Sequence, residues 1–290
     1  TGKVQEFSIY DVEKTNNVPI SKQDITTGKE IEGARLELLD SKGKVIESWT
    51  STTKPHVINN LKAGTYTIRE KVAPKGYLLA EDIEFTIDAE GNITGSTIMQ
   101  DDYTKVEISK KDIVTSEELP GATLQVIEKS TGKVLEEWTS TAEPYKINKL
   151  PIGEYILREI TAPDGYVKAE DVEFTVSNTG EIQKVEMKDD YTKVEITKKD
   201  LETKEILEGA QLQLLDSEGD VVAEFTSENK AYTISKLPVG EYTLHEVKAP
   251  KGYNLAEDVK VVIEETGKVQ EFSIYDVEKT NNVPISKQDI

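Results

Sequence analysis

The sequence repeats itself with a period of 88 residues. Three similar strings, "ISKQDI" at 20–25, "ISKKDI" at 108–113 and "ITKKDL" at 196–201, open units that close on "IMQDDY", "EMKDDY" and "SIYDVE". Solenoid repeats are about 20–45 residues long, whereas a longer unit of this kind is large enough for a small domain with its own core. The chain is therefore expected to fold as three whole modules in tandem.

The same string, "TGKVQEFSIYDVEKTNNVPISKQDI", stands at 1–25 and again at 266–290. It joins the sequence of a closing strand to that of an opening strand, so the chain is interpreted as a segment of a longer array. The first residues lack the basic and apolar regions of a signal peptide, so none is expected there. The predicted divisions are the closing strand of a preceding repeat at 1–14, modules at 15–103, 104–191 and 192–279, and the opening strand of a following repeat at 280–290.

Within each module, apolar and polar residues alternate in strings such as "KVEI", "YTIRE" and "VEFTV". A period of two residues is typical of half-buried strands, and the intervening "LPIG", "LPVG" and "APKG" are turn signals. We expect about seven short strands and no helix per module, in an antiparallel β-sandwich of immunoglobulin-like or prealbumin-like arrangement. Because the linkers are very short, the three all-β sandwiches are expected to stack as a semi-rigid rod.

Composition argues against several classes of function. A net charge of −20 disfavours nucleic acid and anionic membranes as partners, because both repel an acidic surface. No apolar run approaches the ~20 residues needed to span a bilayer. The absence of cysteine and the presence of two histidines disfavour disulfides, thiolate chemistry and a repeated histidine site. Acidic junctions such as "QDDYTK" lack the spacing of a calcium loop, so neither a metal nor a cofactor is expected.

Strand alternation places three polar side chains of every module on the buried face. Within their strands, a lysine follows Ile20, a glutamate follows Ile68 and an aspartate follows Met99, each by two residues and therefore on the same face. The three sets are Lys22, Glu70 and Asp101; Lys110, Glu159 and Asp189; and Lys198, Glu246 and Asp276.

Two interpretations of these sets are open at this point. A buried salt-bridge triad would fix strand register, although desolvation offsets most of the Coulomb attraction. Alternatively, burial favours a neutral amine beside a protonated aspartic acid. The amine could then attack the side-chain carbonyl carbon and release water, while the glutamate polarises the carbonyl and relays protons. The product would be an amide between lysine and aspartate.

The motifs "ISKKD", "YILREITAPDGY" and "EMKDDY" resemble the B-type repeat domain of collagen-binding surface adhesins, which also occurs in SpaA-type pilins and is known as the CnaB family. The resemblance covers essentially the whole chain, in three copies. It implies domains of Gram-positive surface proteins, in which a first-strand lysine forms a spontaneous isopeptide bond to an Asn or Asp of the last strand. The glutamate or aspartate of an E-box, "YxLxExxAPxGY", promotes that bond.

Carried over by position, the resemblance implies the cross-links Lys22–Asp101, Lys110–Asp189 and Lys198–Asp276, with Glu70, Glu159 and Glu246 as the catalytic residues. Asp11 matches an acceptor and Lys287 a cross-linking lysine, each without its partner, so both are unpaired reactive candidates. The sequence contains no "LPxTG" sorting signal and no clear pilin polymerisation motif. An adhesin stalk is therefore favoured over a pilin subunit, and collagen binding is not implied.

The prediction is thus a structural stalk of an adhesin or pilus-like protein on the wall of a Gram-positive bacterium. It would be no enzyme beyond one self-directed turnover per module. Its expected partners are neighbouring repeats, and an adhesive domain and a wall anchor outside this fragment. A monomer is expected, with strand exchange through residues 1–14 as an option. Two alternatives remain, namely a module that recognises host protein or glycan through its loops, and a glycosidase with paired carboxylates in an open cleft.

Overall fold

The computed structural model describes residues 14–280, which fold into three successive β-sandwiches. No helix occurs among these residues, and hence none that could cross a membrane. Asp11, Lys287 and most of the two partial repeats lie outside the described residues.

Module 1 has one three-stranded and one five-stranded sheet. Its strands are β1 (Asn16–Asp24), β2 (Arg35–Asp40), β3 (Val45–Thr50), β4 (His56–Leu61), β5 (Gly64–Val72), β6 (Ile83–Ile87), β7 (Ile93–Gly95) and β8 (Ile98–Asp101). The strand orders are β4-β1-β8 and β3-β2-β5-β6-β7. The first and last strands therefore share a sheet, and the strand that follows β4 belongs to the other sheet.

Module 2 repeats this plan with two four-stranded sheets. Its strands are β9 (Lys105–Asp112), β10 (Thr123–Glu128), β11 (Val134–Thr139), β12 (Tyr145–Asn148), β13 (Gly153–Thr161), β14 (Tyr166–Val167), β15 (Val172–Val176) and β16 (Ile182–Tyr191). The strand orders are β12-β9-β16-β14 and β11-β10-β13-β15.

Module 3 has the same arrangement with seven strands. They are β17 (Lys193–Asp200), β18 (Gln211–Leu215), β19 (Val221–Thr226), β20 (Tyr232–Ser235), β21 (Gly240–Lys248), β22 (Val259–Ile263) and β23 (Val269–Asp276). The orders are β20-β17-β23 and β19-β18-β21-β22. The prediction of three tandem all-β sandwiches is confirmed.

The first and last strands of every module lie side by side and run parallel. β1 pairs with β8, β9 with β16, and β17 with β23. The antiparallel sandwich that the alternation predicts therefore contains one parallel pair per module. A hairpin forces its two strands to be antiparallel, but these two strands are connected through the rest of the module, which leaves their relative direction free.

Each module has its own apolar core between its two sheets. In β1 the inward residues are Val18, Ile20, Lys22 and Asp24, whereas Pro19 faces outward. Burying an aliphatic side chain such as Ile20 contributes about 1.5–3 kcal/mol. The aliphatic residues thus hold β1 in place, and the strand carries Lys22 and Asp24 into the protein interior with them.

Candidate cross-linking site

The parallel register brings the predicted lysine and aspartate of module 1 together. Lys22 lies opposite Met99 of β8, and Asp101 comes two residues later on the same face. Glu70 belongs to β5 in the other sheet, where it pairs with Leu36 of β2. Its side chain therefore crosses the core to meet the other two.

The amine of Lys22 contacts the carboxyl groups of both Asp101 and Glu70. Nζ of Lys22 contacts Oδ1 of Asp101 and lies 2.9 Å from Oε1 of Glu70. The backbone N–H of Ala80 donates to Oε2 of Glu70 at 2.8 Å, which fixes the orientation of that carboxylate. Oδ2 of Asp101 has no hydrogen-bond partner in the part of the chain that the structure describes. Lys22, Glu70 and Asp101 are 2%, 4% and 1% exposed, so the set is sealed from solvent.

Module 2 reproduces this geometry. Lys110 contacts Asp189 through Oδ1, and its Nζ lies 3.0 Å from Oε1 of Glu159. The N–H of Ala169 donates to Oε2 of Glu159 at 2.7 Å.

Module 3 reproduces it again. Lys198 contacts Asp276, and its Nζ lies 2.8 Å from Oε1 of Glu246. The N–H of Ala256 donates to Glu246 at 2.7 Å. All nine predicted side chains are thus buried and grouped in the three expected sets.

Burial also changes the acidity of the aspartates. It raises the pKa of Asp101 to about 7 against the opposing effect of Lys22, and the negative charge of Glu70 adds to the rise. Asp189 has its pKa raised to about 7 for the same reasons, and the pKa of Asp276 is also raised by burial. The raised pKa of Asp101 favours its protonated form, and a protonated carboxyl is the form that an amine can attack.

These contacts are compatible with both interpretations that the sequence left open, a buried salt-bridge triad and an amide between lysine and aspartate. An ion-paired triad would hold two carboxylates and one ammonium away from water, at a cost of several kcal/mol per ion before their attraction is counted. An amine and a carboxylic acid in the same positions would be held ready to condense. The closed core does not suit the glycosidase alternative, because Glu70 and Asp101 have no open cleft between them to receive a sugar. No cluster of three or more metal-binding side chains occurs within residues 14–280.

Every module also buries a third carboxylate, which was not among the residues predicted from the sequence. Asp24, Asp112 and Asp200 end the first strands, and they are 2%, 3% and 7% exposed. The rule that identified Lys22 also applies to Asp24, since it comes two residues later on the same face. Its environment is different, because Oδ1 accepts the N–H groups of Thr26 and Thr27, both at 2.9 Å.

Comparison with known families supports the architecture. The profile of the SpaA family, described as a prealbumin-like fold domain, matches residues 16–102, 104–191 and 192–278. A comparison with curated proteins finds no match.

Several solved structures match this chain. The Bacillus anthracis TIE protein is 25% identical over 91% of this chain and 51% of its own, with a TM-score of 0.48, so the chain spans about half its length. The shaft pilin SpaA from Lactobacillus rhamnosus GG is 17% identical over 62% of this chain and 99% of its own, with a TM-score of 0.32. BcpA, the major pilin subunit of Bacillus cereus, is 18% identical over 92% and 100%, with a TM-score of 0.37.

Proposed function

Since the chain belongs to the SpaA family of prealbumin-like domains, with one match per module, we propose that it is a structural stalk whose modules each form one intramolecular isopeptide bond. The observation that carries the proposal is the contact of Lys22 with Asp101 beside Glu70, present in three copies. The bonds would join Lys22 to Asp101, Lys110 to Asp189 and Lys198 to Asp276. Such a stalk would belong on the outside of the cell, attached to the wall of a Gram-positive bacterium.

The proposed reaction is a condensation that needs no external reagent. Glu70 takes a proton from the Lys22 ammonium, across the 2.9 Å contact between Nζ and Oε1. The free amine attacks Cγ of the protonated Asp101, and a tetrahedral intermediate forms. Glu70 returns that proton to the departing hydroxyl, so the C–O bond breaks and one water leaves. The nitrogen then passes its second proton to Glu70 as the amide forms, so the site ends as an amide beside a neutral glutamic acid, which acts once per module.

The surroundings of the site would supply most of the acceleration. Burial favours the neutral form of Asp101, because a charged carboxylate in the core is poorly solvated. The fold also holds the amine against the carboxyl, which replaces an unfavourable encounter in water by an intramolecular step. A buried ion triad offers little net stability, whereas an amide removes two of its three charges.

The parallel strand pair explains why a bond at this point would serve a stalk. Tension enters module 1 at the start of β1 and leaves after Asp101, at the opposite end of the pair. A bond from Lys22 to Asp101 would pass the load from the first strand to the last. The residues between them, 23–100, would stay outside the loaded path.

The bond would also stabilise each module against unfolding. It would close loops with sequence separations of 79, 79 and 78 residues. By analogy with a disulfide across the same loop, the lost entropy of the unfolded chain amounts to about 4–5 kcal/mol per module. A chain without cysteine has no disulfide that could supply this stabilisation.

The decisive experiment is the intact mass of the purified chain under denaturing conditions. We expect a mass below that of the sequence by three water molecules, one per module, and fragment spectra that place one missing water on each lysine–aspartate pair. A Lys111→Ala variant is the matched control, because this neighbour of Lys110 contacts Glu186 at the surface and should leave all three losses intact. The unmodified sequence mass would show that the triads are ion pairs.

A further inference from the structure

Asp24 bonds across the boundary between two modules. Its Oδ2 accepts the hydroxyl of Tyr77 at 2.8 Å and contacts Nζ of Lys149 at 2.7 Å. Tyr77 belongs to module 1, but Lys149 lies after β12 in module 2. The lysine also donates to the Tyr77 hydroxyl at 2.6 Å, so acid, phenol and amine form a closed triangle.

Aromatic rings complete the surroundings of the lysine. Nζ of Lys149 lies 4.7 Å from the ring centre of Tyr77 and 5.2 Å from that of Tyr103, within the range of cation–π attraction. The two rings meet edge to face with their centres 6.3 Å apart. The ammonium therefore has a carboxylate, a hydroxyl and two ring faces around it, all contributed by module 1.

The backbones of the two modules are also bonded to each other at this point. The N–H of Lys149 donates to the carbonyl of Thr104 at 2.9 Å, and the N–H of Thr104 donates to Gly76 at 3.1 Å. The hydroxyl of Thr104, a fully buried residue, donates to the carbonyl of Leu150 at 2.5 Å. Thr104, which lies between β8 and β9, thus ties a loop of module 1 to a loop of module 2.

The contact leaves no room for a side chain at Gly76. Its φ is +82°, and a Cβ there would come within 2.1 Å of the carbonyl oxygen of Lys149. Lys149 itself has a φ of 66°, an unfavourable conformation for a residue with a Cβ. Both backbones are therefore shaped for close approach, which a loose encounter between two domains would not require.

The second module boundary repeats the arrangement with equivalent residues. Nζ of Lys236 lies 2.8 Å from Asp112, the Tyr166 hydroxyl donates to the same carboxylate oxygen at 2.8 Å, and Lys236 donates to that hydroxyl at 2.5 Å. Thr192 donates to the carbonyl of Leu237 at 2.6 Å. A Cβ at Gly165 would lie 2.2 Å from the carbonyl oxygen of Lys236.

Charge distinguishes this cluster from the cross-linking site. Burial alone would raise the pKa of Asp24, but hydrogen bonds from Lys149, Thr27, Tyr77 and Thr26 outweigh it and hold the pKa well below its usual value. The pKa of Lys149 is raised, chiefly by its bond to Asp24. The shifts hold the carboxylate of Asp24 and the amine of Lys149 in their charged forms, and the 2.7 Å contact between them is an ion pair.

We infer that the cluster of Asp24, Tyr77 and Lys149, and its copy of Asp112, Tyr166 and Lys236, are docking sites that lock each module in one orientation on the module before it. The partner of each site is the loop of the next module that follows β12 or β20. The inference does not depend on the cross-links, because none of these six side chains belongs to a cross-linking triad.

Module 3 carries the same acid and phenol, Asp200 and Tyr253, but they are not engaged by a lysine of the described residues. Asp200 accepts the N–H groups of Glu202 and Thr203 and hydrogen bonds to Tyr253, but it has no ion pair within residues 14–280. A Cβ at Gly252 would meet no atom within 4 Å. The surface around Asp200 and Tyr253 is thus the docking face without the lysine that engages the two earlier copies.

The lack of cysteine allows a direct test by pairs of spin labels. Ser41, Ser130 and Ser217 are exposed turn residues of modules 1, 2 and 3, and each can be replaced by cysteine. Labels at Ser41 and Ser130 report the first boundary, and labels at Ser130 and Ser217 report the second. Pulsed electron paramagnetic resonance then gives a distance distribution for each boundary of the full chain.

We expect one narrow distribution at each boundary of the parent chain. Lys149→Ala should raise the population of other orientations at the first boundary by at least about tenfold, because Asp24 loses the cation that compensates its buried charge. The second boundary should not change, and Lys236→Ala should give the reverse pattern. Lys146→Ala, an exposed lysine on β12, is the control and should leave both distributions narrow.

Gly76→Ala tests the steric contribution to docking separately from the ionic one. The added Cβ blocks the approach of the Lys149 backbone, and no ionic group is removed. The substitution should broaden the first distribution alone, provided that circular dichroism shows module 1 still folded. Broad distributions in the parent chain, or narrow ones after both Lys149→Ala and Gly76→Ala, would overturn the inference. Intact mass, measured on the same samples, reports the cross-links separately.

Discussion

Lys22 and Asp24 are buried on the same face of β1, and they bond in opposite directions, Lys22 to Asp101 of its own module and Asp24 to Lys149 of the next. One strand therefore carries both the site that would close a module and the site that joins it to its neighbour. The two sites contain the same kinds of group, but burial raises the pKa of Asp101 while hydrogen bonds lower that of Asp24. The proposed condensation belongs to the first site, where the carboxyl is held nearer its neutral form, whereas the second site holds an ion pair.

Replacing the proposed catalyst of one module should abolish one bond and no other. In Glu159→Gln the side chain keeps its size, but it can no longer accept the proton of Lys110 across their 3.0 Å contact. The intact mass should rise by one water relative to the parent chain, after the small change from the substitution is subtracted. Glu154→Gln, at an exposed position of the same strand, should leave three waters missing. Full loss of three waters in Glu159→Gln would refute the role of the glutamate.

A module that cannot cross-link should lose stability as the pH rises. In Lys110→Met the aspartate remains free, and burial keeps the folded-state pKa of Asp189 above its unfolded value of 3.8. The folded state then binds more protons, so this contribution is complete below about pH 4 and is lost as the pH rises through 7. The slope should approach 1.4 kcal/mol per pH unit, an order-of-magnitude value.

Thermal unfolding of Lys110→Met between pH 4 and 8 measures that slope. In the parent chain Asp189 would be an amide without a titratable proton, so the parent is the control and should lack this component. Equal pH dependence in the two chains would contradict the assignment.

The phenol of the docking site should matter more than its aromatic neighbour. Tyr77→Phe removes the hydroxyl that bonds to both Asp24 and Lys149 and should destabilise the docked orientation by about 1–3 kcal/mol. Tyr103→Phe keeps its ring against Lys149 and loses a longer bond of 3.3 Å to Thr26, so its effect should be smaller. Label distances between modules 1 and 2 measure both variants, and an equal response would argue against a specific role of the Tyr77 hydroxyl.

Single-molecule pulling should detect the load path directly. The parent chain should extend without unfolding steps, because each proposed bond carries tension past the intervening residues. Glu159→Gln should add one step of roughly 260 Å, the extended length of the chain between Lys110 and Asp189. Steps of that size from all three modules of the parent chain would show that no module is closed.

Alternation in the sequence predicted the sandwiches and the inward direction of Lys22, Glu70 and Asp101, because side-chain direction in a strand depends on local position. The same rule covers Asp24, but it could not supply Lys149, which is 125 residues away and belongs to another module. Strand order was open for a similar reason. Immunoglobulin-like and prealbumin-like sandwiches share the same periodicity, and the parallel pairing of β1 with β8 depends on contacts between the two ends of a module.

The docking site has a consequence for symmetry. Lys149 and Lys236 come from the later module at each boundary, and their carboxylate and phenol partners come from the earlier one, so the interface is heterologous. A heterologous contact that recurs along a chain repeats one rotation and one translation, which extends the array unless the rotation closes a ring. Equivalent turns such as those at Ser41, Ser130 and Ser217 are then related by one rotation and one translation per module. Each added module would lengthen the array and place equivalent surface side chains at a new angle around its axis.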